Sequence, residues 1–197
     1  MSKQAILLSG GIDSCSLAWQ QKPKLAFHIS YGQKSELAEL KASSAIANEM
    51  KLALHLINID CSSLGSGDLV GKRKLKIAPV SEWWPYRNQL LITLALMKAV
   101  SFNVTELMIG AVKTDKRHKD GSSEFFELIN ALSVYQEGHI RISSPAIHLD
   151  SIELIENSGV PASLLGWTHS CHKSNLPCGR CNGCLKHIHI KSKMNLI

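Results

Sequence analysis

No apolar run in this chain approaches the length needed to cross a bilayer. The first residues lack the basic stretch and long apolar core of a secretion signal. The chain is therefore expected to be cytosolic, with no membrane partner. Internal repeats and low-complexity segments are also missing, which argues against solenoids and disordered tails. Cysteine is scarce over most of the length, with only Cys15 and Cys61 before residue 171. Acidic side chains are few, 16 against 22 Lys and Arg, which gives a formal charge of +6 and a pI near 9.0. The remaining composition, 45% hydrophobic and 19% charged over 197 residues, is ordinary for one globular domain.

The first informative segment is Ser9-Gly10-Gly11-Ile12-Asp13-Ser14, which follows a short apolar run at 5–8 that reads as a buried strand. Paired glycines let the backbone come close to a ligand and take positive φ. The N–H groups of the helix that opens near Asp13 and Ser14 then face that ligand, and the helix dipole favours negative charge there. Ser9 and Ser14 add hydroxyl donors, and Asp13 is placed to hold a metal ion. The longer loop and Gly-Lys-Ser/Thr ending of a Walker sequence are missing. The segment resembles the pyrophosphate loop of ATP-dependent enzymes that leave AMP on a substrate.

Beyond it, strand and helix patterns alternate. Strands are expected at 24–30, 52–59, 107–110 and 140–143, and helices at 35–50, 87–102 and 122–137. The helix at 35–50 is expected to open at Ser35 and turn Leu37, Leu40 and Ala47 to the core. That at 87–102 presents Leu90, Leu91, Leu94, Ala95 and Met97 as an apolar face. Residues 60–76, rich in Gly, Ser and Lys, read as a mobile loop. Such alternation implies an α/β fold, a parallel sheet with helices on both faces. Ligands in such sheets sit at the carboxyl ends of the strands, so the loops after Leu8, Ile29 and Gly110 should line one crevice. Basic clusters stand at Lys72, Arg73, Lys74 and Lys76, read as a solvated loop, and at Lys113, Lys116, Arg117 and Lys119, nearer the expected site.

From Trp167 the character changes. Cys171, Cys178, Cys181 and Cys184 are spaced C-x6-C-x2-C-x2-C, with Gly179 and Gly183 inside the run. Four thiolates fill a tetrahedral Zn²⁺ shell and leave no open position, so the ion should be structural. A pair of disulfides is the alternative and is disfavoured in a reducing compartment. His169, His172, His187 and His189 lie close by and are expected to be exposed or hydrogen-bonded. The division expected is a nucleotide-binding α/β domain at 1–160 and a zinc-binding segment at 161–197 packed on it.

Loop and knuckle together resemble the 7-cyano-7-deazaguanine synthase family, nearly end to end, as a divergent member. The motifs carrying this are the loop at 9–14, Ser30-Tyr31-Gly32-Gln33, Pro85-Tyr86-Arg87-Asn88, Gly110 to Asp115, and Pro-Cys-Gly-x-Cys-x-x-Cys after Ser170-Cys171. The resemblance implies a Rossmann-like, adenine nucleotide alpha hydrolase-like fold. It implies that ATP with Mg²⁺ adenylates 7-carboxy-7-deazaguanine and that ammonia displaces AMP to give the amide. A second ATP would activate the amide oxygen, whose departure with AMP leaves the nitrile. Ser9, Gly10, Gly11, Asp13 and Ser14 would cradle pyrophosphate, Tyr31 and Gln33 border adenosine beside Gly110, and Arg87 neutralise the reacting phosphate with support from Asn88. Asp115 is a candidate for Mg²⁺ or substrate contact, and a homodimer is implied.

Departures from the family cluster at the second substrate. Its aromatic Ser-Gly-Tyr-Pro-Asp-Cys-Arg stretch is here Lys116-Arg117-His118-Lys119-Asp120-Gly121-Ser122-Ser123, where Asp120 offers an acceptor to a guanine-like edge. A family lysine is replaced by Ser151, and Lys113 is the candidate to compensate. An amine of a partner protein, giving an amide that stops before the nitrile, is thus an alternative acceptor. Two further classes stand beside it: a tRNA-modifying enzyme, disfavoured because the paired cysteines belong to the knuckle, and a non-catalytic nucleotide-binding zinc module.

Overall fold

The computed structural model describes residues 3–194, apart from the side chains of 116 and 117; residues 195–197 of the expected C-terminal segment lie outside it. Five strands, β1 (Gln4–Leu7), β2 (Leu25–Ser30), β3 (Ala53–Asn58), β4 (Glu106–Ile109) and β5 (Arg141–Ser143), form one sheet in the order β3-β2-β1-β4-β5. All four pairings are parallel. Such a sheet is covered on both faces, and its inner strands read as near-continuous apolar runs. Every residue of β2 is accordingly buried, and so is every residue of β4.

Alternation along β1 sorts the two cores. Ala5 joins Phe27, Leu107, Ile142 and the helices α3 (Arg87–Val100) and α4 (Ser123–Tyr135) on one face. Ile6 and Leu8 join Met108 and the helices α1 (Ile12–Gln21), α2 (Glu36–Glu49), α5 (Ser151–Ser158) and α6 (Ala162–Leu165) on the other. The last helix, α7 (Asn182–Lys193), adds Ile190 to that second core, which ties the cysteine-rich segment to the sheet domain.

Three expectations need correction. Leu37 is exposed, because α2 presses Ala42, Ser43, Ile46 and Ala47 against the sheet. Met97 is also exposed, since α3 centres its stripe on Ile92, Ala95 and Ala99. The stretch expected as a mobile loop is anchored: Cys61 and Leu69 are buried in the first core, and the Asp68 N–H donates to Ser81 O. The basic residues Lys72, Arg73, Lys74 and Lys76 are exposed, as expected of a solvated loop.

Because the strand order grows in opposite directions from β1, the chain reverses between β1 and β4. Their carboxyl ends mark the crevice where open α/β sheets hold ligands. The loops after both strands meet there. A Cβ added to Gly110 would lie 2.8 Å from Ser14 Cα, so only glycine permits this approach.

Candidate functional site

The loop after β1 is shaped from beneath. Leu8 O accepts from His28 Nδ1 at 2.9 Å and from Ser43 Oγ at 3.0 Å, so β2 and α2 hold the strand end. Gly10 then turns with φ +81°, where an added Cβ would fall 2.7 Å from Glu39 O and 2.9 Å from Ala42 Cβ. Gly11 caps α1 without a side-chain acceptor. Its N–H donates to Ser9 Oγ, the Ser9 and Ser14 hydroxyls stand 3.0 Å apart, and Ser14 Oγ donates to Gly11 O. The result is a concave loop with two hydroxyls at the positive end of a helix, the arrangement that binds phosphate oxygens.

This loop opens into a cavity of about 470 Å³ whose lining includes Ser9, Gly11, Asp13, Ser14, Tyr31, Arg87, Asn88, Gly110 and Asp115. Ile29, Tyr31 and Ala111 bring the ends of β2 and β4 to the same wall, as the strand pattern implied. Gln33 is buried away from the cavity and acts on it through Tyr31. Its Oε1 accepts from Tyr31 N–H at 2.8 Å, and its Nε2 donates to Glu39 at 2.8 Å. The Tyr31 ring meets Trp84 edge-on at 4.9 Å, and burial pushes its phenol well above the ordinary range.

Arg87 begins α3 close to the Tyr31 phenol. Burial disfavours its charge, but the carboxylates of Asp120, Glu39 and Asp115 favour it, and its pKa is raised. The residue before it, Tyr86, takes φ +54° with its side chain exposed. Asn88 closes the turn: its N–H donates to Asp120 Oδ2 at 3.1 Å and its Nδ2 to Asp120 O at 2.7 Å. One oxygen of the Asp120 carboxylate is therefore engaged on the helix start.

Across the cavity, Asp13, Asp115 and Lys186 come together. Asp13 Oδ2 pairs with Lys186 Nζ at 2.8 Å, while Asp13 Oδ1 is buried and has no hydrogen-bond partner. Asp115 Oδ2 accepts from Val112 N–H. Burial raises the Asp115 pKa; Lys186 opposes the rise and Asp13 adds to it. Two close carboxylates with an orphaned buried oxygen suit a divalent cation bound by oxygen ligands.

Lys113 does not belong to this group. It is exposed and outside the lining, with its backbone N–H on Leu149 O. Ser151 itself is buried, with Oγ unpartnered. The cavity has further lining residues that the motifs did not indicate: Glu39, Glu82, His118, His172, Asn182, Lys186 and His187. The α7 members had a readable signal, since Asn182, Lys186 and Ile190 recur every fourth residue and so share one helix face. His118 stands in the divergent loop, its pKa lowered by burial and by the nearby Arg87.

The four cysteines converge. The Sγ atoms of Cys171, Cys178, Cys181 and Cys184 all lie within 4.8 Å of one another, with Cys178 to Cys184 at 3.9 Å and Cys181 to Cys171 at 4.0 Å. A tetrahedron of thiolates about 2.3 Å from Zn²⁺ has edges of about 3.8 Å. None is in a disulfide. Hydrogen bonds from the Arg180 and Cys181 N–H groups lower Cys178 to about 6, while burial pushes Cys184 up to about 12. A divalent cation is what lets all four be thiolates together. The histidines stay outside the cluster: His169 Nε2 contacts Ser174 O, His187 Nδ1 contacts Ser170 Oγ, and His189 is exposed. Of these four histidines, His172 keeps a buried Nδ1 without a partner. The knuckle and the loop are joined directly, His169 N–H donating to Gly10 O at 2.9 Å.

The family described as "Queuosine biosynthesis protein QueC" matches residues 3–189. The chain belongs to the QueC family. A 7-cyano-7-deazaguanine synthase from a Nitratiruptor species is 30% identical, over 92% of this chain and 90% of its own. One from Solidesulfovibrio magneticus is 31% identical, over 93% and 88%. Among solved structures, NMN synthetase from Francisella tularensis superposes with a TM-score of 0.51 at 14% identity, covering 98% of this chain and 77% of that one. That likeness shows the adenine nucleotide alpha hydrolase-like fold. No described helix is long and apolar enough to cross a membrane.

Proposed function

We propose that this QueC-family chain is an ATP-dependent carbon–nitrogen ligase that adenylates the carboxylate of 7-carboxy-7-deazaguanine and passes the acyl group to ammonia. The observation that carries the reading is one cavity in which a glycine-hydroxyl loop at the β1/β4 reversal faces Arg87, Asp13 and Asp115. Its size suits one nucleotide with a small planar acid. Relatives named 7-cyano-7-deazaguanine synthase over nine-tenths of the chain support the same substrate.

In this reading Ser9, Gly10, Gly11 and Ser14 hold the departing pyrophosphate, and Tyr31 and Gly110 border adenosine, with Gln33 fixing Tyr31. The orphaned Asp13 oxygen and Asp115 are the acceptors fitted to Mg²⁺, which supplies charge neutralisation between triphosphate and carboxylate. Arg87 stands where charge builds as the substrate carboxylate attacks the α-phosphate, and Asn88 keeps it there. The cysteine cluster would hold Zn²⁺ as a structural ion, pinning α7 against the cavity.

Acid-dependent exchange of labelled pyrophosphate into ATP tests the first half-reaction without any amine. Exchange that requires 7-carboxy-7-deazaguanine supports adenylation. Nucleotide binding with no exchange for this acid contradicts it and favours the non-catalytic module.

A further inference from the structure

The phosphate loop carries no cation of its own between Ser9 and Ser14. Among the described residues lining the cavity, only Arg87 and Lys186 are permanently positive, against the carboxylates of Asp13, Glu39, Glu82 and Asp115. A triphosphate entering this site meets more negative than positive side chains. Arg87 lies with Tyr31, Asp120 and Glu39 on the wall formed by β2, α2 and the start of α3. Lys186 comes from the opposite side, on α7, and its ammonium reaches Asp13 in the first turn of α1, 2.8 Å from Oδ2. Its side chain is 36% exposed. The same Asp13 lines the cavity and has a second oxygen, buried and unpartnered. An aspartate half-satisfied by a lysine and half-orphaned is arranged to take a further cation.

We propose that Lys186 is the cation for the β- and γ-phosphates: when Mg-nucleotide enters, its ammonium exchanges the Asp13 carboxylate for phosphate oxygens, and Asp13 turns to the divalent ion. This rests on the reading of the loop as a nucleotide site and adds a residue to it. No covalent bond is made or broken. One ion pair becomes two, with the charge on each partner unchanged. Four rotatable bonds let a lysine ammonium make so short a move, and a phosphate oxygen is the stronger acceptor for it. The geometry also explains why the knuckle lies against the loop. Helix α7 is capped by Cys181, whose Sγ accepts from Cys184 N–H, and Lys186 follows Cys184 by two residues. The turn capped by Cys181 thus sets where the ammonium is held.

The test is calorimetric titration of the full chain, with zinc content matched, using MgATP, Mg-pyrophosphate and AMP as probes. Lys186→Met should weaken MgATP and Mg-pyrophosphate about tenfold to a hundredfold, the worth of one charge-assisted contact, and change AMP within about twofold. Lys186→Arg should recover most of the loss. A melting temperature for Lys186→Met close to that of wild type shows that the pair with Asp13 is not simply a clamp. If Lys186→Met binds MgATP as wild type does, or loses AMP and MgATP alike, the proposal is overturned while the nucleotide reading stands. Should the wild-type chain itself take up no MgATP, both fail, and the wild-type titration alone identifies that case.

Discussion

Replacing Gly10 by alanine should destabilise the fold, whereas the same change at its neighbour Gly11 should spare stability and damage nucleotide binding. Gly10 sits at φ +81°, where an L-residue costs about 1–2 kcal/mol. Its new methyl would also stand 2.7 Å from the Glu39 carbonyl oxygen and 2.9 Å from Ala42 Cβ, both on the rigid helix α2. Overpacking of that kind costs about 1–3 kcal/mol. The expected loss is therefore about 2–5 kcal/mol, a large share of the roughly 5–15 kcal/mol available to a domain. Gly11 has φ −80°, and the nearest atom to its added methyl is Ser9 Oγ at 3.3 Å. Its cost should not exceed about 1 kcal/mol, but the methyl would enter the cavity that Gly11 lines. Urea denaturation of the two variants measures the difference directly, and MgATP titration of Gly11→Ala measures the second effect. Equal stability for Gly10→Ala and wild type would refute the close approach of loop and helix on which the site is built.

Other outcomes follow from single observations. Tyr86→Gly should stabilise by about 0.5–1 kcal/mol in urea denaturation, since it relieves a left-handed residue whose side chain is exposed. Glu106→Ala should cost about 2–3 kcal/mol at neutral pH by stranding Gln4, Ser143 and Arg141. Burial would raise the Glu106 pKa, but those partners lower it below its ordinary 4.5, so this stability is present above that value and fades as pH falls below it. Denaturation at several pH values should show wild type and variant converging only in acid. Arg87→Lys should lower the kcat of pyrophosphate exchange about a hundredfold, because an ammonium cannot reproduce the guanidinium fork. Stripping zinc with a chelator should remove about one ion per chain, lower the melting temperature, and weaken MgATP binding as α7 loosens.

How far the sequence could be read depended on the kind of signal. Strands β1, β2 and β4 were legible because a parallel sheet buries both faces, leaving short runs such as Leu25 to Ile29 in which apolar residues predominate. The loop residues Ser9 to Ser14 and the four cysteines were legible because each motif is compact in sequence and its chemistry demands those residue types at that spacing. Leu37 and Met97 were misplaced because periodicity shows that a helix has an apolar stripe but not where the sheet grips it. Helix α2 turns alanine and serine toward the loop, since Gly10 must fit beneath it. Lys113 and Lys186 show the same limit at the site. One is near the expected site in sequence and faces solvent; the other is 173 positions from Asp13 and bonds to it. Asp120 reads as a free acceptor in the sequence, but one of its oxygens accepts from the start of α3.

The central claim is that one cavity joins ATP to a deazaguanine carboxylate. It is tested most directly by incubating the zinc-loaded chain with MgATP, 7-carboxy-7-deazaguanine and ammonium and following all products by mass spectrometry. The account predicts AMP and pyrophosphate formed together with the amide or nitrile of the acid, and none of them when the acid is omitted. ADP in place of AMP, or nucleotide left intact with acid and ammonium both present, would contradict it.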